Sequence, residues 1–225
     1  MDAKERVYQQ IAHRETDFIP YVLDMFDEVG QALDTHYGSD AWRTKVDNQI
    51  HKLNVWRLPW DVEAPRVRSP YGAIWRTDHK PAHVEAPALS GPSLAGYRFP
   101  SPQEVLVDGY REKILEARQR HSDRFLVVMW GSGIFETSWY LRGMENALAD
   151  AVAEPRFYDE LTSAIGEHLL ELVQPLLDLP MDGLMIGDDW GYQRGLFLGA
   201  ERWRRFMKPH LKRVYDRIHS AGKVT

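Results

Sequence analysis

Hydrophobic positions along the chain fall into two kinds of run. Phe125-Leu126-Val127-Val128-Met129-Trp130 is apolar throughout, the pattern of a strand covered on both faces of a parallel sheet. It stops at Gly131-Ser132-Gly133, a turn with room for a ligand. Met181-Asp182-Gly183-Leu184-Met185-Ile186 repeats the arrangement and is followed at once by Gly187-Asp188-Asp189-Trp190-Gly191. Two shorter runs, Phe18 to Leu23 ending at Asp24 and Leu53 to Leu58 ending near Asp61, predict earlier strands. Between these runs the apolar positions recur at helical spacing. Val7 and Ile11 share one face of residues 3–13, and Val29 and Leu33 mark a second helix. Ser101-Pro102-Gln103-Glu104 carries a capping hydroxyl, a proline at the first helical position and a Glu three residues after the cap, opening a helix to about 120. Glu154-Pro155 opens a long helix through Phe157, Leu161, Ile165, Leu169, Val173 and Leu176, with a kink expected at Pro175. A last helix, 200–221, carries Trp203, Phe206, Val214 and Ile218 and ends at Gly222.

Strands alternating with helices at this spacing predict parallel βαβ units. Four units are expected, in the manner of a TIM-type (β/α)₈ barrel, within a single domain over 1–225. A closed barrel takes about 250 residues, and Lys223-Val224-Thr225 reads as the opening of a fifth strand. The expectation is therefore an incomplete barrel, truncated to its N-terminal half, whose open sheet edge favours oligomerisation. Residues 64–102 break the pattern: seven prolines interrupt any helix, and Tyr71-Gly72-Ala73-Ile74-Trp75-Arg76 suggests a hairpin. Aromatic content there favours an inserted hairpin or lid over a disordered linker.

Composition narrows the class. The 225 residues are 44% hydrophobic and 12% aromatic, enough apolar material for a sizeable core. A net charge of -5 with interspersed signs gives no basic stripe for nucleic acid. The absence of cysteine excludes disulfides, thiolate nucleophiles and Cys-ligated zinc within these residues, and suits a reducing compartment. With neither a secretory signal at the start nor an apolar stretch of membrane-spanning length, the chain is expected to be cytoplasmic.

In a βα-barrel the chemistry sits on the loops at the C-terminal ends of the strands. That rule selects Asp24, Asp61, then Ser132, Phe135, Glu136, Trp139 and Tyr140, then Asp188, Asp189, Trp190, Tyr192 and Gln193. The adjacent carboxylates Asp188 and Asp189 suit general acid or base work or the orientation of a protonated group; alternatively one caps a turn while the other faces water. Trp139, Tyr140 and Trp190 offer aromatic walls, or simply core. Glu136 and Arg142 in one segment are placed to pair with each other. His79 and His83 lie four apart, but the surrounding prolines and the lack of a third ligand argue against a metal. Phosphate-binding and serine-hydrolase motifs are absent.

These residues resemble the uroporphyrinogen decarboxylase superfamily. The segment from Gly131 to Gly143 is similar to its Gly-x-Pro-Trp-Thr-type loop running into a helix start, and Asp188-Asp189-Trp190-Gly191 is similar to its Asp-Ser-Trp-x-Gly motif. Glu154-Pro155, the Arg6-Val7 and Ile19-Pro20 pairs, and Tyr71-Gly72 with Trp75-Arg76 fit its divergent, decarboxylase-like members. The resemblance implies a barrel that either decarboxylates a tetrapyrrole without a cofactor, as a lyase of porphyrin metabolism, or moves a methyl group between a corrinoid protein and an acceptor. Decarboxylases carry an arginine-rich segment after the first strand to clamp eight substrate carboxylates. Here Leu23-Asp24-Met25-Phe26-Asp27-Glu28 offers acids instead, and Trp139 stands where the catalytic tyrosine aligns. Corrinoid-dependent methyl transfer is therefore the favoured expectation. In that branch zinc is held by a His-x-Cys motif and a later Cys beyond the fourth strand, so no metal ligand is expected in these residues. The resemblance carries Asp188 over as a catalytic residue; Asp189, Tyr140 and Glu136 join it from their positions, with the remaining candidates binding a small-molecule or tetrapyrrole ligand. A non-catalytic tetrapyrrole- or corrinoid-binding role is the alternative from another class.

Overall fold

The computed structural model describes every residue except Trp60 and Asp61; the candidate Asp61 therefore lies outside the described residues. At its centre is a parallel sheet of three strands in the order β1 (Ile50–Asn54), β5 (Phe125–Trp130), β6 (Gly183–Ile186). Leu126, Val128 and Trp130 of β5 are fully buried on the helical side, whereas Met185 of β6 lies on the other, more open side. Beyond β6, Val224 makes a parallel bridge to Gly183, its N–H donating to the Asp182 carbonyl (3.1 Å) and its carbonyl accepting from Leu184 (2.9 Å). This is the pairing expected of an opening fifth strand.

Two strand boundaries differ from the expected ones for identifiable reasons. The run 18–23 forms no strand, so the sheet has three parallel strands rather than four. Pro20 removes one ladder donor, and a backbone bond from the Gln49 N–H to the Tyr21 carbonyl (2.9 Å) together with one from the Leu23 N–H to the Asn48 side-chain oxygen (2.8 Å) holds the run beside β1. The expected strand over 53–58 is shifted to Ile50–Asn54, because residues 55–57 leave the sheet to pair with 105–107: Arg57 donates to the Val105 carbonyl and Val107 to that of Val55.

Helices α5 (Ile134–Arg142), α6 (Met144–Ala153) and α7 (Pro155–Val173) connect β5 to β6. Helix α7 buries Leu161, Ile165, Leu169 and Leu172 in the core and tightens into a 3₁₀ turn, Gln174–Leu176, at Pro175. The helix expected over 200–221 is two, α8 (Gly199–Phe206) and α9 (Lys208–Ser220), with Pro209 in the first turn of the second. The stretch after Ser101 is likewise α3 (Pro102–Val105) and α4 (Tyr110–Arg120), divided before Gly109, whose φ of 68° belongs to the left-handed region. No helix among the described residues is long and apolar enough to cross a membrane.

Residues 64–86 build an antiparallel sheet of β2 (Arg66–Arg68), β3 (Ile74–Arg76) and β4 (His83–Ala86). Trp75 of β3 packs edge-on against Tyr140 of α5 with ring centroids 4.8 Å apart, which seats this small sheet on the start of the β5–α5 unit. A second tie is buried: His168 of α7 lies 3.2 Å from the Tyr71 hydroxyl, and burial pushes its imidazole down to about 4.

The N-terminal ends of the strands are closed by α1 (Ala3–Ile11) and a saturated set of ion pairs. Asp182, 4% exposed, accepts from Lys4 (2.7 Å), Arg118, Tyr8 (3.1 Å) and the Leu126 N–H (2.8 Å). Buried Arg6 is held by Asp17, Gln49 and the Met1 carbonyl. Every charge buried there has its partner, as a purely structural end requires.

Candidate functional site

The opposite, C-terminal end of the sheet is organised differently. Where β5 ends, Gly131 and Gly133 permit approaches that no side chain would allow. A Cβ on Gly131 would lie 1.6 Å from the Trp56 ring, and one on Gly133 would lie 2.6 Å from the Asp188 carboxylate. The first contact packs the segment after β1 against the end of β5, and the second brings the loop after β6 onto the first turn of α5. Asp188 then accepts from the backbone N–H groups of Glu136 (2.8 Å) and Phe135 (3.1 Å) and from the Trp190 indole. Its carboxylate caps α5, where free N–H groups and the helix dipole favour negative charge. Burial pushes Asp188 up in pKa against the pull of these donors.

Glu136 stands on that same first turn. Its carboxyl is raised to about 8, first by burial and then by the charges of Asp188 and Asp189; a hydrogen bond from the Tyr140 hydroxyl to Oε1, 3.4 Å long, opposes the shift weakly. Tyr140 is itself buried and strongly raised by that burial. Among the described residues no Lys or Arg is ion-paired to Glu136, Asp188 or Asp189. The nearby Arg142, expected to pair with Glu136, instead binds Asp150 (2.6 Å) and the Leu89 carbonyl (2.8 Å) within the core. An acid with a pKa near 8 beside a fixed carboxylate holds its proton at neutral pH and can exchange it, the property of a general acid or base.

Around this centre the sequence-derived candidates divide. Glu136, Tyr140 and Asp188 are linked directly, and Asp189 follows as an exposed neighbour whose charge reaches Glu136. Phe135, Trp190 and Trp139 are brought close: Phe135 and Trp190 through Asp188, Trp139 through its edge-on contact with Tyr140. Tyr192 is exposed on a short hairpin, β7 (Gly191–Tyr192) and β8 (Gly195–Leu196), where it stacks on Phe197, which stacks on Phe135. Gln193, at the tip of that hairpin, points to no described partner. Ser132 is fully buried with its hydroxyl unpartnered among the described residues. Asp24 does not join the centre. It pairs with Lys52 in a cavity shared with Asp47, His121 and Arg124, toward the other end of the sheet.

Sequence reasoning passed over Trp56 and Ser69. With Tyr71, Trp75 and Tyr140 they line a narrow apolar cleft beside α5, about 10 Å³ in volume, roughly the space of one water. Its signal was present as the aromatic residues of the proline-rich insert, but their meeting with Trp56 depends on β1 ending at Asn54.

Parallel strands linked by helices, with acids and aromatics gathered at the strand C-termini and a saturated opposite end, define a protein of the βα-barrel fold class. Residues 73–225 match the family model Uroporphyrinogen decarboxylase (URO-D), and the chain belongs to that family. A methyltransferase from Methanosarcina mazei has a similar structure, with a TM-score of 0.71 at 12% sequence identity over 97% of this chain and 67% of that one. That likeness establishes the fold, an incomplete portion of a TIM-type barrel. No curated protein matches the sequence.

Proposed function

We propose that this chain serves methyl transfer in a corrinoid system rather than decarboxylation of a porphyrinogen. The observation that carries this reading is the charge of the site: Glu136, Asp188 and Asp189 converge, with no paired cation among the described residues. A substrate bearing eight carboxylates would meet acids where it needs guanidinium groups, and an uncompensated charge contact costs several kcal/mol by order of magnitude, roughly as like-charge juxtapositions do at interfaces. The similarity to a methyltransferase points the same way.

In this reading each group has a role. Asp188 is a positioning residue that fixes the first turn of α5. Glu136 holds the exchangeable proton and gives it to the heteroatom that keeps the bonding electron pair when a methyl leaves, or takes it back in the reverse direction. Tyr140 orients the Glu136 carboxyl. The stack Phe135, Phe197 and Tyr192, ending in an exposed ring, fits one flat apolar face of a corrin macrocycle, which supplies a cobalt centre able to carry the methyl group.

Isothermal titration of the chain with hydroxocobalamin and, separately, with uroporphyrin tests the proposal. Cobalamin binding weakened by Tyr192→Ala, with uroporphyrin bound at least tenfold more weakly, is the expected result. Preference for the octacarboxylate, or binding of neither, overturns it.

A further inference from the structure

The proton assigned to Glu136 depends on its neighbour Asp188 staying ionised, and a set of buried groups outside the roles just given reaches that neighbour. Tyr158 of α7 is fully buried, its ring edge-on to Phe206 of α8 with centroids 5.1 Å apart. Phenylalanine would fill the same space, so packing does not account for the hydroxyl. Among the described residues that hydroxyl has one side-chain partner, the hydroxyl of Ser138, 3.1 Å away and equally buried. Ser138 in turn donates to the Phe135 carbonyl (2.6 Å). A serine hydroxyl carries a single proton. With that proton committed to Phe135, Ser138 accepts from Tyr158 and Tyr158 donates.

Bonded only to a carbonyl three residues earlier, Ser138 would be an ordinary helical serine. The Phe135 carbonyl, however, belongs to the same peptide group as the Glu136 N–H, which donates to Asp188 Oδ1 (2.8 Å). The bonds therefore run head to tail in one direction, from Tyr158 to Ser138, across the 135–136 peptide and into the Asp188 carboxylate. Each bond in such a chain polarises the next and strengthens it by roughly 10–30%, and peptide resonance carries the pull on the carbonyl oxygen through to the N–H. Burial raises Asp188, and the Glu136 N–H is the strongest of the donors that oppose it, ahead of the Phe135 N–H and the Trp190 indole. The chain thus acts on the bond with most influence over that carboxylate. The other titratable groups that feel the Asp188 charge or adjoin it are Glu136 and Tyr140 on α5, Tyr215 on α9 and Asp189, none of them a cation.

We propose that Tyr158 and Ser138 are positioning residues for the acid pair: acting through the 135–136 peptide, they keep Asp188 ionised, so that the proton the pair shares resides on Glu136. The inference rests on the reading of Glu136 as the proton carrier in methyl transfer and deepens it by naming what assigns the proton.

A carboxyl-carbon NMR titration and the amide-proton shift of Glu136, both on the intact chain, test this. Tyr158→Phe is expected to raise the Asp188 midpoint by about 0.3 unit, a roughly twofold loss of acidity, as the loss of one cooperative bond requires. It is also expected to move the Glu136 amide proton upfield while that of Thr137, which donates to the Gly133 carbonyl (3.2 Å), stays in place. Ser138→Ala is expected to shift both signals in the same directions at least as far, and Ser138→Thr, which keeps the hydroxyl, to restore them. With Ser138→Ala in place the chain is already cut, so adding Tyr158→Phe is expected to change neither reading. Additive effects overturn the proposal, because a direct field from Tyr158 would act without Ser138, and so does the absence of any effect, which a role in packing alone would give. On the unsubstituted chain the Tyr158 and Ser138 hydroxyl protons are expected as slowly exchanging resonances with an Overhauser contact between them. Hydroxyl protons that exchange freely with water overturn the proposal even if a variant fails to fold. No corrinoid enters these measurements, so their failure leaves the cobalamin result standing, and failure with cobalamin leaves the Asp188 midpoint to be measured.

Discussion

Glu136 is where residue-level physics is most exposed to test. Its carboxyl, raised to about 8, keeps a proton in the folded state that the unfolded chain releases near 4.5. Between those values the folded form binds more protons, so stability falls as pH rises through the window and levels off above it. Partial exposure of the side chain discounts the effect to about 3 kcal/mol across the window. Urea denaturation at pH 5.5 and pH 8.5 is expected to show about 2 kcal/mol of this loss, and Glu136→Gln is expected to remove most of that slope and to be the more stable protein at the higher pH. A slope that survives the substitution would place its origin elsewhere. Asp188 acts on the same group by charge. Asp188→Asn, by relieving repulsion, is expected to lower the Glu136 midpoint in a carboxyl-carbon NMR titration while costing about 2 kcal/mol in stability through its lost charge-assisted bonds to α5. A purely structural cap would show the second change without the first.

At the scale of elements, the loop after β5 is the rigid part. Gly131→Ala places a methyl inside the Trp56 ring, and neither β1 nor β5 can yield without unpairing, so a loss of about 3 kcal/mol or more is expected by thermal melting. The tie between the small sheet and α7 is softer and sensitive to pH. His168 is depressed to about 4, so below its unfolded value near 6.5 the unfolded chain takes up the proton first, and the anchorage weakens as pH falls toward 4. Amide exchange in 66–86 is expected to accelerate between pH 7 and pH 5 beyond its intrinsic pH dependence, and not to do so in His168→Gln. These elements were unequally legible in the sequence. Buried strands β5 and β6 announce themselves as apolar runs closed by glycine, and the barrel rule led from them to Glu136, Tyr140 and Asp188. The run 18–23 reads as a strand because periodicity reports propensity, while strand formation needs a neighbour. Breaks at Gly109 and Pro209 carried local signals that helical spacing overrode. Which aspartate of the 188–189 pair turns inward was legible only through the family resemblance, which singled out Asp188; the residues alone leave it open, because it depends on the N–H groups of α5 arriving opposite. For the same reason Ser138, whose partner Tyr158 arrives on α7, looked like any serine in a helix.

For the whole molecule, the contrast between the two ends of the sheet is joined by a contrast between its faces. The helical face is filled, whereas the opposite face, lined by Ile50, Val127 and Met185, stays accessible beside β1, which among the described residues has no strand on its outer side. Next to that edge Ile19 is 78% exposed and Phe26 82%. A parallel sheet is ordinarily covered on both faces, and an unpaired edge next to exposed apolar side chains is a template for association. The isolated chain is therefore expected to self-associate at micromolar concentration. Sedimentation velocity over a hundredfold concentration range is expected to show the weight-average coefficient rising, and Ile19→Lys with Phe26→Lys is expected to reduce that rise without altering the melting temperature, since both side chains lie outside the core. A monomer throughout would mean that the segment 17–26, tethered at Tyr21 and Leu23, shields the edge by itself despite forming no strand. A rise unaffected by the double variant would move the contact to the open sheet face, where Met185→Lys is the substitution expected to abolish it.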